Sequence, residues 1–401
     1  MITLWGLFAR IVNIFVPVQQ KHWVFGSDYG NMYREGSKYM IEYMLKEHPD
    51  YICTFITKNP KVKEELDAKG IPCLMNLSLK AIIEIAKAEA VFSTQVPSDV
   101  LFGYKKKNRQ IVYMTHGQPY KRALYALGED YIQKFIIGKQ SGLKKIWSKI
   151  TKYLNEGVEF KDSSFVSVTS DFLKPFFDAD FGGYVPVKTL GMPRNDGLFQ
   201  SWRMEKEKWL KGIDGKLVIT YMPTHRFYGK GELCPTPFIN RPDILEWMKM
   251  NDVVLLVKQH PNMISRIENP VDTDVIKDIT KMGIDPQVCL YYSDVLVSDY
   301  SSVWIDYLIL QRPLIFYFYD NFEEDDQGVF YDIRQDPPGH FCYNEDEFFD
   351  TIKRIKLSYD SMRPSKHIIN KFHKYPDGNS CKRYYDAIVD NLSRGQHNGF
   401  K

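Results

Sequence analysis

The chain has 401 residues, 44% of them hydrophobic, so it can bury more than one core, and its length sets a soft prior of roughly two to three domains. A formal net charge of +3 excludes the strongly basic balance of a dedicated nucleic-acid binder, and no nucleic-acid partner is expected. Six cysteines (Cys53, Cys73, Cys234, Cys289, Cys342, Cys381) are scattered with no Cys-x-x-Cys and no His/Cys cluster. That argues against a disulfide framework and a zinc site and fits a reducing compartment.

The opening MITLWGLFARIVNIFVPVQQ is apolar but broken by Arg10, Asn13 and Pro17. It is too short and too polar for a span of ~20 apolar residues, and it lacks the basic start and cleavage site of a signal peptide. Two readings stay open: an interfacial membrane helix, or a segment packed on its own domain.

From residue 22 onward, apolar runs alternate with stretches of helical periodicity. HWVFGS, YICTFIT, AVFST, QIVYMTH and FVSVTS read as strands, and SKYMIEYMLKEHP and LSLKAIIEIAKAEA as helices. Such alternation predicts a parallel sheet. Gly26, Gly30 and Gly36 do not make the dinucleotide fingerprint, so no nicotinamide cofactor is expected. The fourth run ends in His116, Gly117, Gln118, Pro119, Tyr120, Lys121 and Arg122. A histidine at a strand's carboxyl end, followed by a glycine and two cations, suits an acid/base step on a phosphorylated substrate.

Residues 136–154 place Leu143, Ile146, Trp147, Ile150 and Leu154 on one helical face, with Lys144, Lys145, Lys149 and Lys152 on or beside the other. This pattern reads as a membrane-surface helix or as a stripe buried on the domain with solvated lysines. The loop LGMPRNDGLF, punctuated by Pro193 and Gly197, suits a connection between domains, with Arg194, Asn195 and Asp196 placed to line a cleft.

After the helical WRMEKEKWLKG, the alternation restarts with KLVITYMPTHR, VVLLVKQHP, VCLYY, VLVSDYSS and PLIFYFY, all read as strands. Their ends deliver Thr224, His225 and Arg226, then Lys258 and His260, then Asp299, Ser301 and Ser302. In open parallel sheets ligands bind at such ends. The last three residues are of types that cap helices, and the free N–H groups behind a cap offer a seat for a pyrophosphate. A capped buried helix is the plain alternative. The pairs Asp178–Asp180 and Asp272–Asp274 follow no apolar strand and read as solvated loops, so no metal is predicted. A Walker A loop and a Gly-x-Ser-x-Gly elbow are both absent. The tail, EDEFFDTIKRIKLSYD and FHKYPDGNSCKRYYDAIVDNL, reads as helical.

With these residues on view, HGQPYK at 116–121, GMPRND at 191–196, PTHR at 223–226, HP at 260–261, SDYSSVWIDY at 298–307 and RPLIF at 312–316 resemble, in order, the CDP-glycerol glycerophosphotransferases of teichoic-acid and capsule synthesis. The chain departs from that family's pattern at Thr115 and Gln118, on the acceptor side. The resemblance implies an α/β, GT-B-like fold: two Rossmann-like parallel-sheet domains facing across a cleft. The expected division is 1–190 for the acceptor and membrane side, 191–375 for the nucleotide donor, and 376–401 for a C-terminal helix packing back on the first domain.

It implies His116 as general base and His260 as stabiliser of the transferring phosphate. It places Gly117, Gln118, Arg194, Asn195, Thr224, Arg226, Asp299, Ser301 and Ser302 about the substrates. CDP-glycerol or CDP-ribitol would be the donor and a lipid-linked glycan the acceptor, at the cytoplasmic face of the membrane. No cofactor is expected. The alternatives are a glycosyltransferase, which would release a nucleoside diphosphate rather than CMP, and a non-catalytic membrane-associated scaffold.

Overall fold

The computed structural model describes residues 2–128, 131, 142–224, 234–267, 270–320 and 328–397. The chain divides into two compact units. Unit 1 comprises Met1–Gln118, Ala123–Asp196 and Asp377–Lys401, and unit 2 comprises Pro119–Arg122 and Gly197–Pro376.

Unit 1 is built on a five-stranded sheet of β1 (His22–Phe25), β2 (Ile52–Thr57), β3 (Cys73–Met75), β4 (Ala90–Ser93) and β5 (Gln110–Tyr113), in the order β3-β2-β1-β4-β5. Every pairing in it is parallel. All four residues of β1 are buried, as a central strand covered on both faces requires. The FVSVTS run does not join this sheet. Instead β6 (Val166–Val168) pairs with β7 (Val187–Thr189) as a separate parallel ribbon.

Unit 2 carries β8 (Leu217–Tyr221), β9 (Val253–Val257), β10 (Ile276–Asp278), β11 (Val295–Ser298), β12 (Leu314–Tyr317) and β13 (His340–Cys342) in the order β10-β9-β8-β11-β12-β13. This is again wholly parallel, and it is the doubly wound Rossmann order. The VCLYY run, expected as a strand, is instead a helix, Pro286–Tyr292. Asp285 caps it by accepting the Gln287 N–H at 2.9 Å, and Pro286 sits in the first turn, where its missing N–H costs nothing.

Unit 1's helices include α1 (Ile2–Phe15), α2 (Glu35–Glu47), α3 (Pro60–Ala68), α4 (Leu79–Lys87) and α5 (Gly142–Asn155). Helix α1 packs on both α4 and α5. Arg10 lies over the rings of Tyr104, at 4.3 Å, and Tyr153, at 3.6 Å. The approach is so close that a Cβ on Gly6 would stand 2.6 Å from the Leu154 carbonyl, so only glycine fits there. Buried Arg109 forks onto the carbonyls of Ile85, Ala86 and Ala88 at the end of α4 and onto that of Tyr104. It thereby pairs groups that a helix end leaves orphaned.

Helix α1 both packs and leaves an apolar face open. Ala9 is buried, while Leu4, Leu7, Ile11, Ile14 and Phe15 are exposed. On α5, Ile146, Trp147 and Ile150 are exposed too, with Lys144 and Lys149 beside them. No described helix is long and apolar enough to cross a membrane. Residues 136–141 of the predicted amphipathic stretch lie outside the described residues.

The expected boundary at 190 falls inside unit 1, because Asp196 belongs to it. The Asp196 carboxylate accepts the N–H groups of Ser380 (2.8 Å) and Cys381 (2.7 Å) at the start of the last helix, Ser380–His397. Pro119–Arg122 belong to unit 2, where Tyr120 accepts from the Phe330 N–H at 2.9 Å and Lys121 bridges Val329.

Candidate active site

In unit 1 the carboxyl edge of the sheet gathers the expected residues His116, Gly117, Gln118, Arg194 and Asn195 around the end of β5. Gly26 lets the neighbouring loop approach β1, since a Cβ there would lie 2.7 Å from the Asp99 carbonyl. Asp99, buried beside it, collects the N–H groups of Tyr29 (2.7 Å), Thr94 (2.8 Å) and Gln95 (2.8 Å). This fixes the Thr94 backbone, which in turn hydrogen-bonds the His116 ring.

His116 keeps accessible surface yet is hemmed in by protein on its other sides. That desolvation lowers its pKa below the ordinary histidine value. Arg194 and Arg34 push the same way, while Glu35 and the bond to Thr94 oppose them. The ring is therefore a neutral imidazole at neutral pH. With one nitrogen bonded to a backbone group, the other is left as a proton acceptor. His373 in unit 2 differs: fully buried, bonded to the Ile305 carbonyl and pushed down to about 4 by burial, it is a structural histidine.

Arg194 does not project freely toward a ligand. It is buried and donates to the Glu35 carboxylate at 2.7 Å and, from the same nitrogen, to the His116 carbonyl. Gln118 is committed as well: its buried amide accepts the Thr169 N–H at 2.8 Å and reaches the Ser167 carbonyl, stitching the motif to the β6 strand end. The Gly117 carbonyl accepts from Thr115 Oγ1 at 3.2 Å. The Asn195 amide is buried and makes no hydrogen bond among the described residues.

Glu35, which no motif marks, completes this edge. It sits at φ 59° and Thr115 at φ 58°, a left-handed backbone that costs a side-chain-bearing residue of order 1–2 kcal/mol. Asp28 and Tyr29 on the same edge share it, at φ 51° and 55°. Strain of this kind gathers where surrounding structure overrides it for function.

In unit 2, Thr224, His260, Asp299, Ser301 and Ser302 follow strands β8, β9 and β11. Arg226 and His225 lie outside the described residues. Asp299 is fully buried, and one of its oxygens accepts from both the Thr224 N–H (2.7 Å) and hydroxyl (2.5 Å). It is a latch between the ends of β8 and β11 rather than a helix cap.

The capping expectation is corrected further downstream. The helix after the motif is only Val303–Tyr307; Ser302 precedes it in helical conformation with no side-chain cap bond, and Ser301 Oγ reaches the Val303 N–H at 3.4 Å. What shapes this turn is the burial of Trp304 against Tyr120, Phe316 and Phe372. Ser301 and Ser302 stay half exposed and His260 is exposed, its carbonyl accepting the Met263 N–H at 2.8 Å.

Of the acidic pairs, Asp180 alone departs from the expected solvated loops. Asp272 and Asp274 are exposed, but Asp180 is buried, accepts the Ala123 N–H at 2.8 Å, and is pushed up to about 8 by burial. Among the described residues no group of three or more His, Cys, Asp or Glu side chains could hold a metal.

Two wholly parallel sheets, one of five and one of six strands, each with polar side chains at the carboxyl edge, define a GT-B-like α/β protein. The fold matches the wall teichoic acid polymerase TagF with a TM-score of 0.71 at 23% identity, over 98% of this chain and 92% of that one. The chain belongs to the CDP-glycerol:poly(glycerophosphate) glycerophosphotransferase family, whose model matches residues 8–390.

In sequence it is 25% identical over 391 residues to a teichoic acid poly(glycerol phosphate) polymerase of Bacillus subtilis, covering 93% of this chain and 49% of the relative. It is 26% identical over 385 residues to a teichoic acid glycerol-phosphate transferase of Staphylococcus aureus, covering 91% and 92%. The chain thus spans about half the length of the first relative and nearly all of the second.

Proposed function

We propose that this protein transfers glycerol phosphate from CDP-glycerol to a hydroxyl of a membrane-linked glycan or polyol-phosphate acceptor, releasing CMP, in teichoic-acid or capsular polymer synthesis. The observation that carries the reading is His116, exposed just beyond β5 at the carboxyl edge of the unit 1 sheet with its carbonyl held by Arg194, in a chain that belongs to this family. His116 takes the proton from the acceptor O–H, and the oxygen attacks the β-phosphorus. The bond from that phosphorus to the bridging oxygen breaks, and CMP leaves with the electron pair. Charge building on the phosphate oxygens needs donors and cations, the part assigned to His260, Arg226, Thr224, Ser301 and Ser302. Asp299 holds Thr224 in place. Arg194 and Gln118 act by positioning; Gly117 and Asn195 line the acceptor side.

The test is nucleotide product analysis with purified protein, CDP-glycerol and candidate lipid-linked acceptors, with CDP-ribitol in parallel. CMP release that depends on both donor and acceptor supports the reading. Release of a nucleoside diphosphate from a nucleotide-sugar, with CDP-glycerol inert, overturns it.

The same proposal places the protein peripherally on the cytoplasmic face of the membrane, through the open apolar faces of α1 and α5. Two weak anchors, the second flanked by lysines, add where one is marginal. Co-sedimentation with vesicles containing anionic lipid is expected to fall when Leu7 and Ile11 are changed to Asp. Unchanged sedimentation removes this part of the proposal.

A further inference from the structure

Glu35 enters no motif, yet three features of unit 1 meet on it. It occupies a left-handed backbone position at the start of α2, φ 59°, which a glutamate has no intrinsic reason to adopt. Its carboxylate receives Arg194 Nη1 at 2.7 Å, and that nitrogen also donates to the His116 carbonyl. Arg194 is buried, so the carboxylate is coupled to the His116 backbone through one desolvated guanidinium.

We propose that Glu35 is a positioning residue for His116: through Arg194 it fixes the strand-end backbone from which the imidazole projects, and its charge stabilises the imidazolium that forms on proton transfer. This rests on the reading of His116 as the base. The proton leaves the acceptor hydroxyl for the ring as the new O–P bond forms, and the imidazolium then returns it to solvent. A carboxylate that remains ionised throughout lowers the energy of the charged ring without taking the proton.

The charged and polar groups facing His116 are Glu35 and Arg34 at the start of α2, Arg194 from the loop after β7, and the Thr94 backbone at the end of β4. Arg34 is itself drawn onto Asp28, with Nη2 to Oδ1 at 2.6 Å. Glu35 therefore raises the affinity of the ring for a proton, while Arg194 and Arg34 lower it.

The experiment is the pH dependence of kcat/KM for CMP release in wild type, Glu35→Gln, Glu35→Asp, Arg194→Met and His116→Ala, with thermal melting to verify folding. Glu35→Gln keeps an oxygen for Arg194 but removes the charge. It is expected to lower kcat roughly tenfold or more, equivalent to one lost charge interaction, with little change in the donor KM. The acidic limb should move to lower pH, and Glu35→Asp should recover part of both effects. Arg194→Met removes a cation from beside the ring, and its limb should move to higher pH.

Opposite displacements are a signature that loss of packing does not produce. Should Arg194→Met fail to fold, Glu35→Gln decides alone: an unmoved limb with wild-type kcat overturns the inference. If His116→Ala retains turnover, the assignment of the base has failed instead, whatever the Glu35 variants do.

Discussion

The carboxyl edges of the two sheets are built by opposite means. In unit 1 the edge is charged and strained: Asp28, Tyr29, Glu35 and Thr115 all hold left-handed backbone, and Arg34, Glu35 and Arg194 surround His116. In unit 2 none of Thr224, His260, Asp299, Ser301 and Ser302 departs from negative φ, and Asp299 latches Thr224. A base must be aimed and its proton affinity set, which calls for a rigid, costly surround. A phosphate seat needs hydroxyls, N–H groups and cations within reach, and relaxed turns supply them. On the proposed function, strain marks the side that does the proton chemistry.

The largest test of this contrast is His116→Ala. On the proposed function, removal of the base should cost roughly 10²–10⁴-fold in kcat/KM and leave the melting temperature near wild type, because the residue is exposed. A loss under about threefold would break the comparison at its root.

Next comes the framework behind that edge. Arg109→Leu removes a shared partner from four carbonyls, of which that of Ile85 keeps the Ala88 N–H and that of Ala86 keeps Lys106 Nζ, and should destabilise unit 1 by about 3 kcal/mol, read from urea unfolding. A neutral result would show that buried charge is not what braces this unit.

Asp180 sharpens the point through pH. Its native carboxyl is pushed up to about 8 by burial, whereas the unfolded value lies near ~3.9. Between those values the native state holds a proton that the unfolded chain has released, so this carboxyl's contribution to stability is full below about pH 4 and is lost as pH rises to about 8. Asp180→Asn, which can still accept the Ala123 N–H, should melt with wild type at pH 4 and above it at pH 8. Superimposable melting curves at both values would refute it.

The smallest effects differ in size between the two edges. Glu35→Gly relieves the left-handed backbone by ~1 kcal/mol but leaves buried Arg194 without its carboxylate, so on balance it should lose roughly 2 kcal/mol of stability. Thr224→Val removes one donor from the Asp299 latch and should lose about 1 kcal/mol. Denaturation curves read both. Unchanged or raised stability in Glu35→Gly would show that the pair with Arg194 contributes nothing to the fold.

The alternation of strand and helix was legible because central parallel strands are covered on both faces and read as unbroken apolar runs, as in Val253–Val257 and His22–Phe25. Cys73–Met75, Ile276–Asp278 and His340–Cys342 were not, since three residues at a sheet edge carry no period. VCLYY misleads because its composition suits either element; the signal that resolves it is Asp285–Pro286, which starts the helix just ahead of the run.

At the site, His116 and Arg194 stood out as motif residues, but the commitments of Arg194 to Glu35 and of Gln118 to Thr169 did not. Those partners lie 159 and 51 positions away, and only tertiary folding joins them. A left-handed glutamate leaves no mark in composition or spacing. Asp180 read as solvated because the short helix that buries it, Lys174–Asp180, shows no longer-range pattern.

Unit 1 is discontinuous in the chain, with nearly all of unit 2 inserted between Asp196 and Asp377. During synthesis the second sheet can mature as soon as it leaves the ribosome. Unit 1 closes later, because the partners of the Asp196 carboxylate are the N–H groups of Ser380 and Cys381, made only after the whole insert. The buried Asp196 carboxylate therefore waits, uncompensated, through translation of the whole insert. A nascent chain arrested between residues 376 and 380 carries a finished unit 2 on an unfinished unit 1.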